Sequence, residues 1–352
     1  MSDFRVDKIT NRTGDTGPQI CGVSTFSGTS GMAMPSGSTE YRGGRGRAVR
    51  CGGRIAPANR SEMDYVEIAT TGNAVTFGDL SAAAGSGGVM SSSTRGVVVM
   101  AWSPNVPSYS AAMEYITYSS SGGVSDFGDL ITARGSLNTS VASNNTRGLV
   151  GGGRISSGAG STNAIEFITI ATTGKSNSFG QLNTARTSST GLGNQTRAVF
   201  AGGYTQPTWT DQHKSIEYVT IATKGNGQEF GELFTGTYRF ATCSSPTRGL
   251  FLGGRYLSSA PDTISGLNTI NYITIATFGN VTDFGDLNDD PGGSGGASSS
   301  TRGLCLGGFA PGNIDTIDYV TISTTGNATD FGNLTQSIGD TCAGSDVHGG
   351  LG

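Results

Sequence analysis

The chain has 352 residues, of which 58 are glycine and only 14% are charged. Its formal net charge of −4 gives no bulk attraction to nucleic acid or to an anionic membrane surface, so neither is predicted as a partner. No stretch approaches the roughly 18 apolar residues that predict a membrane-spanning helix, and the N-terminal segment lacks the apolar core of a secretion signal.

The first segment, residues 1–45, contains Pro18, Pro35 and many glycines and serines, and it lacks the apolar runs that build a core. We therefore separate it, as an N-terminal arm, from residues 46–352. The arm is expected to become ordered against a partner or against the rest of the chain, the alternative being a floppy tail. The run RGGRGR at residues 42–47 is similar to an RNA-binding tract, but it is single and short, which favours a junction.

From residue 46 onward one block recurs six times at a spacing of roughly fifty residues, which is typical of propeller blades. Each block has an arginine, an apolar run usually ending in Gly-Gly, an acid or amide before an aromatic residue, and Phe-Gly-x-Leu. The motif arginines are Arg47, Arg95, Arg147, Arg197, Arg248 and Arg302. The phenylalanines of Phe-Gly-x-Leu are Phe77, Phe127, Phe179, Phe230, Phe284 and Phe331. Helical repeats would need long stretches of 3.6-residue periodicity, which the sequence lacks.

The fifth block shows how one repeat divides into strands. Residues 250–252 and 270–275 predict two strands, residues 284–287 a third, and residues 238–242, before Thr-Arg-Gly, a fourth. The pattern therefore predicts an all-β chain forming a six-bladed β-propeller of four-stranded antiparallel blades.

Apolar residues occupy both faces of the second of these strands. Ile270 and Tyr272 point to one face, while Ile273 and Ile275 point to the other, because successive side chains of a strand alternate. A strand with two apolar faces belongs to a sheet packed between neighbours, as each blade is in a ring.

The last segment, residues 337–352, aligns with the start of a seventh block that has no second half. Asp346-Val347-His348-Gly349 falls where Ser-Thr-Arg-Gly stands in the other blocks. The first block begins abruptly, so we expect this segment to supply its missing strand and close the ring.

Charged residues recur once per block. The positions before the aromatic residue are Asp64, Glu114, Glu166, Glu217, Asn271 and Asp318. Each lies at the far end of its hairpin from the motif arginine, so a salt bridge between the two is not expected. We expect each arginine to reach a backbone carbonyl, or an acid such as Asp126, Asp283 or Asp330, in an adjoining strand or blade. The alternative is a ring of six arginines that attracts an anion at a channel mouth.

The order of arginine, Gly-Gly strand and acid-aromatic strand resembles the kelch repeat over residues 46–352, with Phe-Gly-x-Leu where kelch has tryptophan. The runs TRGLxxGG and IATTGNAxDFGDL look like glycine-rich propellers of virion structural proteins from tailed cyanobacterial phages. The start, FRVDKITNRTGDTGP with Phe4, Val6 and Ile9, is similar to their N-terminal arm. The resemblance implies a phage structural protein of the tail, a fibre or another appendage, assembled in the host cytoplasm. It further implies several copies per virion, attached to other virion proteins through residues 1–45.

Catalytic residues do not converge in the sequence. Kelch-like propellers include a copper oxidase, but this chain has only two histidines, His213 and His348, to serve as imidazole ligands. Five cysteines without a CxxC pair favour neither a disulfide framework nor a zinc site. The loop carboxylates Asp211, Asp289 and Asp290 are interpreted as turn residues, a hydrolase being the less favoured alternative. We predict no enzyme activity, no metal and no cofactor.

Two variable loops carry exposed aromatic residues. The candidate interaction residues are Trp102, Tyr109, Tyr204, Trp209 and His213. Such side chains suit binding of host-surface polysaccharide, because aromatic and amide groups bind sugar rings and hydroxyls, and they equally suit contact with a neighbouring virion protein. Glycan recognition is therefore the alternative function.

Overall fold

Short β-branched and aromatic runs between glycine turns form strands throughout the repeat region, since these residues fit a pleated surface. A computed structural model describes residues 46–101, 109–156, 160–207, 210–257 and 264–351. The arm, with Phe4, Val6 and Ile9, lies outside the described residues, as do Trp102 and Trp209. Within the described ranges no helix is both long and apolar enough to cross a membrane.

The strands form six four-stranded antiparallel sheets, which are the blades of a six-bladed β-propeller, as predicted. From the innermost strand outward, blade 1 is β28 (Cys342–Ser345), β1 (Arg47–Ile55), β2 (Ala58–Glu67) and β3 (Val75–Ala84). Blade 2 is β4 (Gly88–Ser91), β5 (Arg95–Val99), β6 (Ser110–Thr117) and β7 (Ser125–Arg134). Blade 3 is β8 (Val141–Ser143), β9 (Arg147–Gly151), β12 (Ala164–Thr169) and β13 (Asn177–Gln181).

The other three blades repeat this order. Blade 4 is β14 (Thr190–Gly193), β15 (Arg197–Ala201), β16 (Ser215–Thr220) and β17 (Gln228–Glu232). Blade 5 is β18 (Ala241–Ser244), β19 (Arg248–Leu252), β22 (Thr269–Thr274) and β23 (Thr282–Asp286). Blade 6 is β24 (Gly295–Ser298), β25 (Arg302–Ala310), β26 (Gly312–Thr321) and β27 (Thr329–Asn333). Hairpins extend blades 3 and 5, formed by β10 (Arg154–Ser156) with β11 (Gly160–Ser161) and by β20 (Arg255–Leu257) with β21 (Ile264–Gly266).

The ring is closed by the C-terminal strand, which confirms the predicted closure. Strand β28 pairs antiparallel with β1, with Ser345 opposite Ala48 and Cys342 opposite Cys51. Residues from the two ends of the repeat region therefore share one blade, which leaves blade 1 without an exposed inner edge.

The predicted alignment of this segment was wrong by one residue. The Asp346 carboxylate accepts from the Arg47 N–H at 2.8 Å, as the Ser92 hydroxyl oxygen accepts from the Arg95 N–H at 3.1 Å. Asp346 thus corresponds to Ser92, whereas the predicted alignment placed it one residue later, at the serine of Ser-Thr-Arg-Gly. His348 consequently has no motif arginine as its counterpart.

Both faces of each blade pack against neighbours, as the apolar pattern predicts. In blade 5, Ile273 and Ile275 belong to a buried cluster shared with blade 4, while Ile270 packs with Tyr272 in a cluster shared with blade 6. Each pair of neighbouring blades encloses such a cluster. The hydrophobic core therefore runs around the ring between the blades.

The innermost strand of blade 5 begins later than predicted, at Ala241 instead of Tyr238. Tyr238 forms an isolated bridge with Arg255, and Arg239 has a positive φ of 56°, which interrupts the extended run. The strand therefore starts only after this turn.

The Gly-Gly pairs act as tight bends. Gly253 has a φ of +61°, and a Cβ added there would come within 2.7 Å of the Pro291 carbonyl oxygen. Any other residue would be strained and would also collide with the start of the next blade.

Candidate functional site on the loop face of the propeller

The two faces of the ring differ in their connections. Short turns join the inner strand to the second strand and the third to the fourth on one side, which we call the turn face. On the opposite side, the loop face, lie the links between the second and third strands. They range from one or two residues in blades 6 and 1 to the segments that contain the hairpins in blades 3 and 5. Variable chemistry is therefore concentrated on the loop face.

The motif arginines join neighbouring blades at the turn face. Each donates through Nη1 to a backbone carbonyl of the next blade at 2.7 to 3.1 Å, the accepting residues including Tyr118, Ile170, Ile221, Ile275, Ile322 and Ile68. Each guanidinium also lies 4.1 to 4.8 Å from an aromatic ring of its own blade. Arg47 additionally contacts Glu67 at 3.2 Å. The expected partners are therefore found as backbone carbonyls of the adjoining blade for all six arginines, and for Arg47 also as an acid, Glu67, of the adjoining strand. Asp126, Asp283 and Asp330 are not among these described contacts.

The Phe-Gly-x-Leu phenylalanines are buried on the outer strands. Each ring lies edge-on to an aromatic ring of its own blade's third strand, with ring centroids 5.9 to 6.3 Å apart, as for Tyr65 and Phe77. The Phe77 carbonyl oxygen accepts from the Gly122 N–H of the next blade at 2.8 Å. These aromatic pairs therefore hold the rim of each blade together and help dock it against its neighbour.

The repeated acids accept hydrogen bonds from the preceding blade. The Glu166 carboxylate accepts from the Ile131 N–H at 2.8 Å and pairs with Arg134 at 2.5 Å. Glu217 likewise accepts from the Asn183 N–H at 2.7 Å and pairs with Arg186. Burial lowers the pKa of both arginines, and their glutamate partners oppose that shift.

Arg134 and Arg186 were not among the predicted site residues, although the sequence carries a signal for their pairing with the repeated acids. Both stand seven residues after the motif phenylalanine of their block, and the next block then carries glutamate before the aromatic residue. After Phe230 the same position is Thr237, and the acid of the next block is replaced by Asn271. A cleft of about 220 Å³ opens at that junction, lined by Thr237 and Asn271 among others.

The central channel is narrow and is covered at the turn face. Its cavity of about 60 Å³ is lined by inner strands of all six blades and by His348. The 3₁₀ turn Gly349–Leu351 is fully buried there. Burial lowers the pKa of His348 to about 4, although its contact with the Ser91 carbonyl raises it. The cavity is far smaller than the roughly 300 Å³ at the lower end of typical ligand sites.

Three of the predicted interaction residues, Tyr109, Tyr204 and His213, lie in the described part of the chain. Tyr109 is half-buried, and Tyr204 packs edge-on against Tyr238 with ring centroids 5.3 Å apart. His213 Nε2 lies 2.8 Å from the Thr205 hydroxyl. Burial and Arg186 lower the His213 pKa, while Asp211 raises it.

The other titratable groups are dispersed. The loop carboxylates Asp211, Asp289 and Asp290 are exposed. Burial raises the pKa of the described cysteine thiols, which suppresses the reactive thiolate; these are Cys51, Cys243, Cys305 and Cys342. Among the described residues, no group of three or more histidine, cysteine, aspartate or glutamate side chains has the arrangement to hold a metal ion.

No protein-family model matches this sequence, and no curated protein matches it significantly.

Proposed function

We propose that this protein is a non-catalytic interaction module of a tailed-phage particle, with residues 1–45 attached to other virion proteins and the propeller presenting its loop face. The observation that carries the proposal is the asymmetry of the ring. The turn face is packed with repeated blade-to-blade contacts and covered by the C-terminal turn, whereas the varied side chains lie on the loop face. The likeness of the repeat and of the arm to phage virion proteins supports the particle as the place of action.

Attachment is tested by comparing the full chain with a variant lacking residues 1–45, each supplied during phage assembly. We expect the full chain in purified particles, and the shortened chain free in the lysate with an unchanged melting temperature. Because the described propeller begins at residue 46, the deletion leaves all six blades intact. Equal incorporation of both chains would contradict anchoring through the arm.

Recognition of host-surface polysaccharide is a second function, and it is favoured by a specific observation. Aromatic and guanidinium side chains lie together on the loop face, where Tyr204 packs on Tyr238 and Arg255 lies beside Phe309. Aromatic faces and fixed hydrogen-bond donors are the groups with which proteins hold sugars.

A further inference from the structure

One position of the repeat alternates between arginine and an aromatic residue around the ring. It lies seven residues after the motif arginine, and its described members lie on the loop face. In blade order the residues are Arg54, Trp102, Arg154, Tyr204, Arg255 and Phe309. Three blades thus carry arginine at this position and the three between them carry an aromatic residue.

The structure shows where three consecutive members of this set point. Tyr204 of blade 4 packs on Tyr238 of blade 5. A Cβ on Gly292 of blade 6 would come within 2.5 Å of Arg255 Cγ. A Cβ on Gly339, just before the inner strand of blade 1, would come equally close to Phe309 Cε2. Each side chain therefore leans over the start of the next blade's inner strand, at the channel mouth.

Arg255 and Phe309 are neighbours within this set. The Arg255 guanidinium carbon lies 5.7 Å from the centre of the Phe309 ring, and Arg255 Nη2 lies 3.4 Å from the Phe309 carbonyl oxygen. Both side chains are half-buried, so a ligand can still touch them. A guanidinium and an aromatic face consequently stand side by side at the mouth.

A charged pair crosses the same mouth. Arg239 of blade 5 reaches Asp340 of blade 1, with 3.3 Å between Nη1 and Oδ1, past the intervening blade 6. The Asp340 side chain is only 4% exposed, whereas Arg239 is 29% exposed. Among the described residues, the Nε atoms of Arg239 and Arg255 are buried without a hydrogen-bond partner, as are those of the scaffold arginines Arg134 and Arg186. Buried polar atoms of this kind are costly, and a ligand that bonds them recovers that cost.

Backbone N–H groups at the mouth already donate hydrogen bonds to neighbouring blades. A chain of hydrogen bonds passes from blade to blade: Ser86 N to Asp340 O, Asn138 N to Ser86 O, Ser188 N to Ser136 O, Arg239 N to Ser188 O, Gly293 N to Arg239 O and Thr341 N to Gly293 O, at 2.7 to 3.1 Å. A peptide added as an extended strand would need such main-chain groups. Recognition at this mouth therefore depends on side chains.

We propose that the loop-face mouth binds an acidic sugar, with Arg239 and Arg255 on its carboxylate and Phe309 against its apolar ring face. Asp340 holds the Arg239 guanidinium at the mouth, and Tyr204 supplies a further aromatic ring beside it. Guanidinium groups match carboxylate geometry, and aromatic faces match the C–H face of a pyranose. The proposal rests on the second proposed function, polysaccharide recognition, and does not depend on residues 1–45. A failure of particle incorporation and a failure of sugar binding are therefore distinguishable results.

The test is calorimetric titration of the full chain with oligogalacturonate, with neutral maltoheptaose, dextran sulfate and polyglutamate as comparison ligands. We expect oligogalacturonate alone to bind. Arg255→Gln and Phe309→Leu should each weaken binding about tenfold or more, since a lost guanidinium or aromatic contact at the centre of a site exceeds roughly 1.4 kcal/mol. Lys175→Gln removes the same charge from an exposed position on the turn face and should leave binding unchanged.

Each other outcome overturns the proposal. Binding of polyglutamate without oligogalacturonate would assign the mouth to acidic peptides. Equal binding of dextran sulfate, or equal weakening by Arg255→Gln and Lys175→Gln, would indicate general charge attraction. Absence of binding by a chain with an unchanged melting temperature would exclude the site. Phe309→Leu retains apolar volume, so it remains informative if Arg255→Gln reduces folding.

Discussion

His348 Nε2 lies 3.1 Å from the carbonyl oxygen of Ser91, which joins the C-terminal turn to the inner strand of blade 2. The other imidazole nitrogen of His348, Nδ1, accepts from the Gly350 N–H at 3.0 Å. Nε2 therefore carries the proton, and the imidazole is held in its neutral form. The C-terminal segment thus closes blade 1 with its strand and covers the channel with its turn.

Stability should fall as the pH drops from about 6.5 towards 4. The folded-state pKa of His348 is about 4, below its unfolded value, so the unfolded chain binds more protons across that interval. A shift of this size corresponds to about 3 kcal/mol. Urea unfolding at successive pH values should show the slope, and His348→Gln should flatten it. His213→Gln retains His348 and removes another imidazole whose pKa is lowered, so it should flatten the slope less than His348→Gln does. Equal slopes in the two variants would contradict this assignment.

Removal of residues 337–352 should abolish cooperative unfolding. Val347 and Leu351 are fully buried, and each contributes about 1.5 to 3 kcal/mol on burial, against a typical total stability of about 5 to 15 kcal/mol. Calorimetry of the shortened chain measures this loss. A synthetic peptide of residues 337–352, added in excess, should restore the transition. A shortened chain that melts at the wild-type temperature would refute ring closure by this segment.

Arg186→Thr should destabilise the protein by about 3 to 5 kcal/mol, because it leaves the Glu217 carboxylate buried without its cation. Adding Glu217→Asn copies the Thr237 and Asn271 pair found one blade later, and should recover a large part of the loss. Denaturant unfolding of both singles and the double variant completes the cycle. Strictly additive effects would show that the two side chains do not depend on each other.

Asp318→Asn should weaken the dependence of stability on pH between acid and neutral values. Burial raises the Asp318 pKa, hydrogen bonds from Asn288 lower it, and Asp289 and Asp330 raise it. A raised folded-state pKa means that ionisation works against folding, so this residue favours the fold at acid pH and less so as the pH rises through that pKa. The variant avoids this loss, but its amide has one acceptor oxygen where the carboxylate accepts from both the N–H and the Nδ2 of Asn288. Urea unfolding of both chains at successive pH values measures the difference, and a difference that does not change with pH would point to a cause other than charge.

The sequence alone determined the architecture. The repeat spacing gave six blades, the alternation in residues 270–275 placed apolar groups on both faces, and the incomplete seventh block indicated closure. These features are local or periodic, so they remain visible without coordinates.

The tertiary structure decided which side chains meet. Glu166 pairs with Arg134 on the outer strand of the preceding blade. Asp346 accepts from the Arg47 N–H as Ser92 accepts from the Arg95 N–H, although Asp346 and Arg47 come from opposite ends of the repeat region. Arg239 and Asp340 are about a hundred residues apart in sequence but meet across the mouth because the ring brings the inner strands together. The alternation of arginine and aromatic residues can be read from the sequence, yet only the tertiary structure shows that Arg255 and Phe309 of successive blades lie side by side.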